Sequence, residues 1–191
     1  MNVARRLSPE ILIDLLEYAQ GQLNDFIKRL DTHGRALFPV SWAGESESQN
    51  WFDIAREYTE VWHHQMQIRM ALGKPILLEP KYSEPLYDTF MLGLPHLFKD
   101  LQDFEQNYKV KISLSGSLNK SWLIERQAEK WVIIEEKNLE IIHTSLEVPD
   151  DRAWKVFTNT DRDKEKYKAM IKSTGDARFA LRLLEYVTVM S

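Results

Sequence analysis

The first 30 residues carry apolar side chains at the three- and four-residue spacing of an amphipathic helix. Ser8, Pro9 and Glu10 form its start, because serine caps a helix, proline fits its first turn and a carboxylate suits the positive end of the helix dipole. The stripe predicts a helix that ends between residues 31 and 34 and is wide enough to pack in a bundle. Its members are Ile11, Leu12, Leu15, Leu16, Ala19, Leu23, Phe26, Ile27 and Leu30.

A loop is predicted over residues 35–50, where proline, glycine and a serine- and glutamate-rich patch interrupt the helical pattern. A second apolar stripe predicts a helix over about 50–72. Three prolines follow within 73–85, so a regular helix is not expected to cross that segment. We therefore expect a domain boundary there, with a helical, partial bundle in 1–80 and a second domain in 81–191.

The second half of the chain changes from helical to alternating periodicity. A helix is predicted over 85–101, kinked at Pro95, and short runs of alternating residues then predict strands, two of which form a hairpin. The strands cover 109–115, 121–126, 130–135 and 140–147, and later helices cover 149–157 and about 177–189, the last with Phe179, Leu181, Leu184 and Val187 available for burial. This order predicts an α+β fold in which a meander, a small antiparallel sheet, precedes helices.

Composition narrows the classes of function. The chain has 191 residues, of which 43% are hydrophobic and 28% are charged, as in soluble globular proteins. A net charge of -4 argues against a nucleic-acid partner held by bulk electrostatics. No apolar run reaches the roughly 18 residues of a membrane span. Cysteine is absent, which excludes disulfides, thiolate metal ligands and a cysteine nucleophile. We expect a cytoplasmic protein.

Glu60 and His64 are the candidate metal ligands. They are four residues apart on the second predicted helix and therefore lie one turn apart on the same side. A carboxylate and an imidazole there suit zinc and similar divalent metals, and Glu57 or Gln67 could orient them. The alternative is a solvated helix face, since such pairs also stabilise helices modestly. His63 points about a quarter-turn away and is expected to be a surface or packing residue.

This segment resembles the last bundle helix of the mycothiol-dependent maleylpyruvate isomerase family, part of the DinB-like group of metal-dependent enzymes that use thiol cofactors. The matching residues are Trp51-Phe52, Ala55-Arg-Glu, Glu60-Val-Trp-His-His-Gln and Ile68-Arg69. The second half is similar to that family's C-terminal domain, which resembles sterol-carrier domains. It matches at Val110-Lys-Ile-Ser-Leu-Ser-Gly116, Trp131 and Thr174-Gly-Asp-Ala177. The resemblance covers nearly the whole chain.

The resemblance implies thiol chemistry at a divalent metal, with zinc first and nickel second. The metal lowers the pKa of a bound thiol. Because this chain has no cysteine, the thiol is expected from a small cofactor such as mycothiol or bacillithiol, which adds to an activated double bond or displaces a leaving group. The family places an arginine of its C-terminal domain near the substrate carboxylate. Arg162 and Arg69 are the candidates here, each with a solvated surface position as the alternative.

The chain departs from the family pattern in one respect. A complete member has a four-helix bundle, with its first metal-ligating histidine on an early helix, whereas only about two bundle helices are predicted here. Catalytic zinc uses three protein ligands and an open position. A third ligand would come from His33, from a second copy in a homodimer, or from a segment missing in a shortened form. The second hypothesis is therefore a non-catalytic binding or interaction protein that keeps the fold without a complete metal site.

Overall fold

The computed structural model describes residues 4–136, 141–158, 160–161 and 163–188. Two long helices form its N-terminal part, α1 (Pro9–Arg29) and α2 (Asn50–Ala71), with short 3₁₀ turns at Ala4–Arg6 and Ser41–Ala43. The predicted start of α1 is confirmed, because the Ser8 side chain accepts a hydrogen bond from the Ile11 amide. No described helix combines the length and the apolar composition that crossing a membrane requires.

The third helix begins earlier than predicted. Helix α3 (Pro80–Met91) contains Pro85, and a one-turn helix α4 (Leu94–Leu97) follows it. The expected start at residue 85 was wrong because Pro80 occupies the first turn, where a missing amide hydrogen costs nothing. Pro85 removes only one backbone hydrogen bond from the next turn, and its carbonyl accepts one from the Thr89 hydroxyl.

The α+β prediction is confirmed, with one correction to the sheet. Five strands, β1 (Lys109–Ser115), β2 (Lys120–Gln127), β3 (Lys130–Ile134), β4 (Thr144–Pro149) and β5 (Lys172–Thr174), lie in the order β3-β2-β1-β4-β5. The β1–β2 and β2–β3 pairs are antiparallel as predicted, and the unpredicted strand β5 is antiparallel to β4, but β4 lies parallel to β1 and does not continue the meander from β3. Both β1 and β4 bury alternate residues, so this pairing gives the sheet one continuous apolar face.

The ends of β4 and of the last helix also differ from the sequence-based ranges. Of the predicted strand over 140–147, residue 140 lies outside the described residues and 141–143 are not strand. After β4 come α5 (Asp150–Phe157), α6 (Glu165–Lys168) and α7 (Arg178–Glu185). Helix α7 buries Phe179 and Leu184 as predicted and also Leu183, whereas Leu181 and Val187 are exposed. The buried face of a helix recurs every three to four residues, and α7 ends before Val187.

One core joins the sheet to its covering helices and extends to α2. Aromatic rings dominate it: Tyr87 and Phe90 of α3 pack edge-on against Phe157 of α5. From α2, Trp62 and Met66 are buried in the same core. The predicted boundary between 1–80 and 81–191 stays a prediction, because shared packing of this kind neither requires nor excludes two domains.

Asp150 connects the β1–β2 turn and helix α3 to the start of α5 through hydrogen bonds. Its buried carboxylate accepts a hydrogen bond of 2.9 Å from the Leu118 amide, and its carbonyl accepts one of 2.6 Å from the Tyr87 hydroxyl. Gly116 lies directly beside this carboxylate with a φ of +130°, so a β-carbon there would overlap Asp150. Glycine is therefore required at this turn for both conformation and space.

We expect Gly116→Ala to lower the free energy of unfolding by about 2–4 kcal/mol, since left-handed strain and overpacking add. Gly73→Ala is the matched control. Gly73 also has a positive φ, +63°, but open space surrounds the position of its missing β-carbon. That variant should lose only about 1–2 kcal/mol. Urea unfolding followed by tryptophan fluorescence measures both, and equal losses would contradict the role assigned to Asp150.

Candidate functional site

Helix α2 presents one buried face and one solvent-facing side. The buried face consists of Phe52, Thr59, Trp62, His63 and Met66. Trp62 packs edge-on against Trp154 of α5 with ring centroids 5.7 Å apart. Because successive helical residues turn by about 100°, burial of this face directs Glu57, Glu60 and His64 away from the core.

Glu60 and His64 meet on this outward side. Glu60 Oε2 and His64 Nε2 are 3.7 Å apart, and the side chains are 33% and 62% exposed respectively. His64 Nδ1 lies 2.9 Å from Gln67 Oε1, the contact expected of an orienting residue. When Gln67 accepts, Nδ1 carries the proton and the Nε2 lone pair faces the carboxylate. Two such acceptors side by side favour a cation between them.

The spacing of this pair suits a divalent cation. Two ligand atoms about 2.0–2.1 Å from a tetrahedral zinc ion lie about 3.4 Å apart, so a small rotation of either side chain closes the remaining difference. Within the described residues, however, no group of three or more His, Asp or Glu side chains is placed to hold a metal. The pair therefore supplies two ligands, one fewer than catalytic zinc sites use.

A groove of about 400 Å³ between α1 and α2 borders Glu60. Its α1 side is apolar and its α2 side is polar, so it suits a ligand with one apolar and one charged part. The groove residues are Leu23, Phe26, Ile27, Leu30, Leu37, Asn50, Asp53, Ile54, Arg56, Glu57 and Glu60. Sequence reasoning did not select Asp53 and Arg56. The sequence contained a signal for Asp53, because Asp53, Glu57, Glu60 and His64 recur at helical spacing.

The other predicted site residues lie elsewhere or outside the described chain. The Arg69 Nε donates to the Pro75 carbonyl at 2.5 Å, which ties the loop after α2 to the end of that helix. Arg162 lies outside the described residues. His33 borders a separate groove that contains Glu47. The roles of the two arginines stay predictions. His143 is structural, since its Nδ1 accepts the Lys109 amide.

His63 belongs to the core, as the packing interpretation expected. It is 1% exposed, its Nε2 lies 2.6 Å from the Thr160 hydroxyl, and its ring contacts Trp154 edge-on. Burial, and then the neighbouring His64, lower the pKa of His63. The two adjacent histidines therefore occupy opposite environments, one packed in the interior and one in contact with Glu60 at the surface.

Comparisons with known proteins add little to this geometry. No family model matches the chain, and no curated protein matches it. Among solved structures, the chain is similar to one described as a "UbiJ-SCP2 Ubiquinone synthesis protein", with 8% identity over 53% of this chain and 95% of that chain, and a TM-score of 0.34. A similarity this weak supports no statement about ligands or activity. The resemblance to maleylpyruvate isomerases therefore rests on the residue patterns alone.

The different environments of the two histidines predict different costs of substitution. His63→Ala removes a buried ring and leaves the Thr160 hydroxyl without that partner, so the free energy of unfolding should fall by about 2–4 kcal/mol. His64→Ala removes an exposed side chain and should change it by less than about 0.5 kcal/mol. Urea unfolding in the presence of EDTA measures both without any contribution from metal. A larger loss for His64→Ala would show that the two environments are assigned wrongly.

Proposed function

We propose that the chain binds a divalent cation through Glu60 and His64 and uses a low-molecular-weight thiol in transferase or isomerase chemistry of the maleylpyruvate isomerase type. The observation that supports this most directly is the approach of a carboxylate oxygen and an imidazole nitrogen to 3.7 Å on one helical turn. The family resemblance of the same helix supports it independently of that distance. Zinc is the first candidate for the cation and nickel the second.

Three residues of α2 have separate roles in this proposal. Glu60 and His64 bind the cation, and Gln67 holds the His64 ring so that Nε2 points towards it. A bound cation makes a thiol a nucleophile at neutral pH. Because the chain contains no cysteine, mycothiol, bacillithiol or a similar cofactor supplies that thiol. The apolar α1 wall of the groove beside Glu60 would receive the uncharged part of a small substrate.

A second candidate function is a non-catalytic binding or interaction protein. The 62% exposure of His64 and the two-ligand count among the described residues favour this candidate. In that case Glu60 and His64 form an ordinary surface ion pair, worth at most about 1 kcal/mol. Under either function we propose a cytoplasmic location, which rests on the absence of cysteine, and no nucleic-acid or membrane partner.

Elemental analysis of protein equilibrated with zinc and then desalted distinguishes the two functions. We expect bound zinc in the wild type and its loss in both Glu60→Gln and His64→Ala, because removal of one of two chain ligands typically costs more than tenfold in affinity. His143→Ala is the control, since that histidine lies directly before strand β4, away from α2, and should leave the zinc content unchanged. Zinc-free wild type would support the non-catalytic function, and zinc retained in both site variants would contradict the assignment of Glu60 and His64 as its ligands.

A further inference from the structure

Helix α1 leaves most of its apolar side uncovered. No side chain of this helix is buried; Leu23, Ile27 and Leu30 near its end are half-buried, and Leu16 and Tyr18 are 67% and 69% exposed. The apolar residues include a seam with alternating four- and three-residue spacing, the pattern of a helix that packs along another helix. The seam consists of Leu12, Leu16, Ala19, Leu23, Phe26 and Leu30.

Helix α2 continues this uncovered surface. Asn50 and Asp53 of α2 border the groove. Further along the same side of this helix, at helical spacing, lie the exposed residues Val61, Ile68 and Leu72. His64 lies between Val61 and Ile68 on the same side. We define the open face as nine of the exposed apolar residues of the two helices: Ile11, Leu12, Leu15, Leu16, Tyr18, Phe26, Val61, Ile68 and Leu72.

The open face is large enough to form a dimer interface. Full burial of one such side chain corresponds to roughly 100 Å² of apolar surface. At the observed exposures, the nine residues would contribute about 500 Å² per copy, or about 1,000 Å² in a pair of copies. A specific interface needs at least about 1,000 Å² in total. Exposed apolar patches of several hundred Å² are often functional.

The distribution of charge favours a second copy of the same chain as that partner. The acidic residues Glu10, Asp14 and Glu17 follow one another at three- and four-residue spacing and so line the opposite side of α1. The α1 seam contains no charged residue, whereas Glu57 and Glu60 lie on the groove side of α2. Two α1 seams can therefore meet about a two-fold axis without like-charge repulsion, and the acidic residues of α1 remain in water.

We propose that two copies of this chain associate through their open faces, joining two α1–α2 pairs into one helical assembly. The partner copy then lies against Val61 and Ile68 of α2. This inference concerns an interaction surface and does not depend on metal binding. In the dimer the apolar stripe of α1 is buried, whereas in one chain alone most of it is exposed.

Sedimentation velocity over a range of protein concentrations, in EDTA, tests the dimer. We expect the wild type to sediment at twice the mass of one chain, with a dissociation constant on the order of micromolar or tighter. Leu16→Glu places a carboxylate in the interface and should raise that constant at least about 30-fold. Ile68→Glu should do the same from α2. Asp14→Lys is the matched control, because it changes the charge on the opposite side of α1 and should leave association unchanged within about twofold.

Near-ultraviolet circular dichroism separates loss of association from loss of folding. Leu16 and Ile68 are exposed, so both variants should keep the wild-type spectrum of the buried tryptophans. A wild type that is monomeric at every concentration would overturn the proposal, as would unchanged association in both glutamate variants. A dimer that binds no zinc would contradict the proposed metal function and leave this interface intact, whereas a zinc-binding monomer would do the reverse.

Discussion

The structure depends on the packing of α2 against the core of the C-terminal part. Trp62 against Trp154, Met66 within the same cluster and His63 on the Thr160 hydroxyl bind one side of this helix to the rest of the molecule. A helix with one side held in this way has no rotational freedom left. The outward direction of Glu60 and His64, and the polar wall of the groove, follow from that constraint.

The same constraint explains why the candidate site is incomplete within one chain. Bundle metal sites collect ligands from several facing helices, and here α1 is the one described helix that borders the outward side of α2, near the Asn50 end. The described part of α1 contributes apolar groove residues and no histidine. The two-residue candidate site and the uncovered apolar surface therefore have the same cause: no other described helix covers these sides of α1 and α2.

Local periodicity was enough to predict most elements. The Ser8 cap, α2, strand β1 and the β2–β3 hairpin follow from caps, turns and alternation within a few residues, which is information that neighbouring residues contain. The contact between Glu60 and His64 belongs to the same class, because helical geometry alone brings residues four apart together. Strand β5 was missed since its three residues are all exposed and show no alternation.

The sequence by itself determined most of the helices and strands, the polar and apolar sides of α1 and α2, and the pairing of Glu60 with His64. Only the tertiary structure decided that β4 lies parallel to β1, that His63 is interior while His64 is not, and that α1 keeps its apolar side exposed. The physical reason is the distance along the chain between the residues that decide each feature. Periodicity records which side of an element avoids water, whereas the identity of the surface that covers it depends on residues far away in the chain or in another molecule.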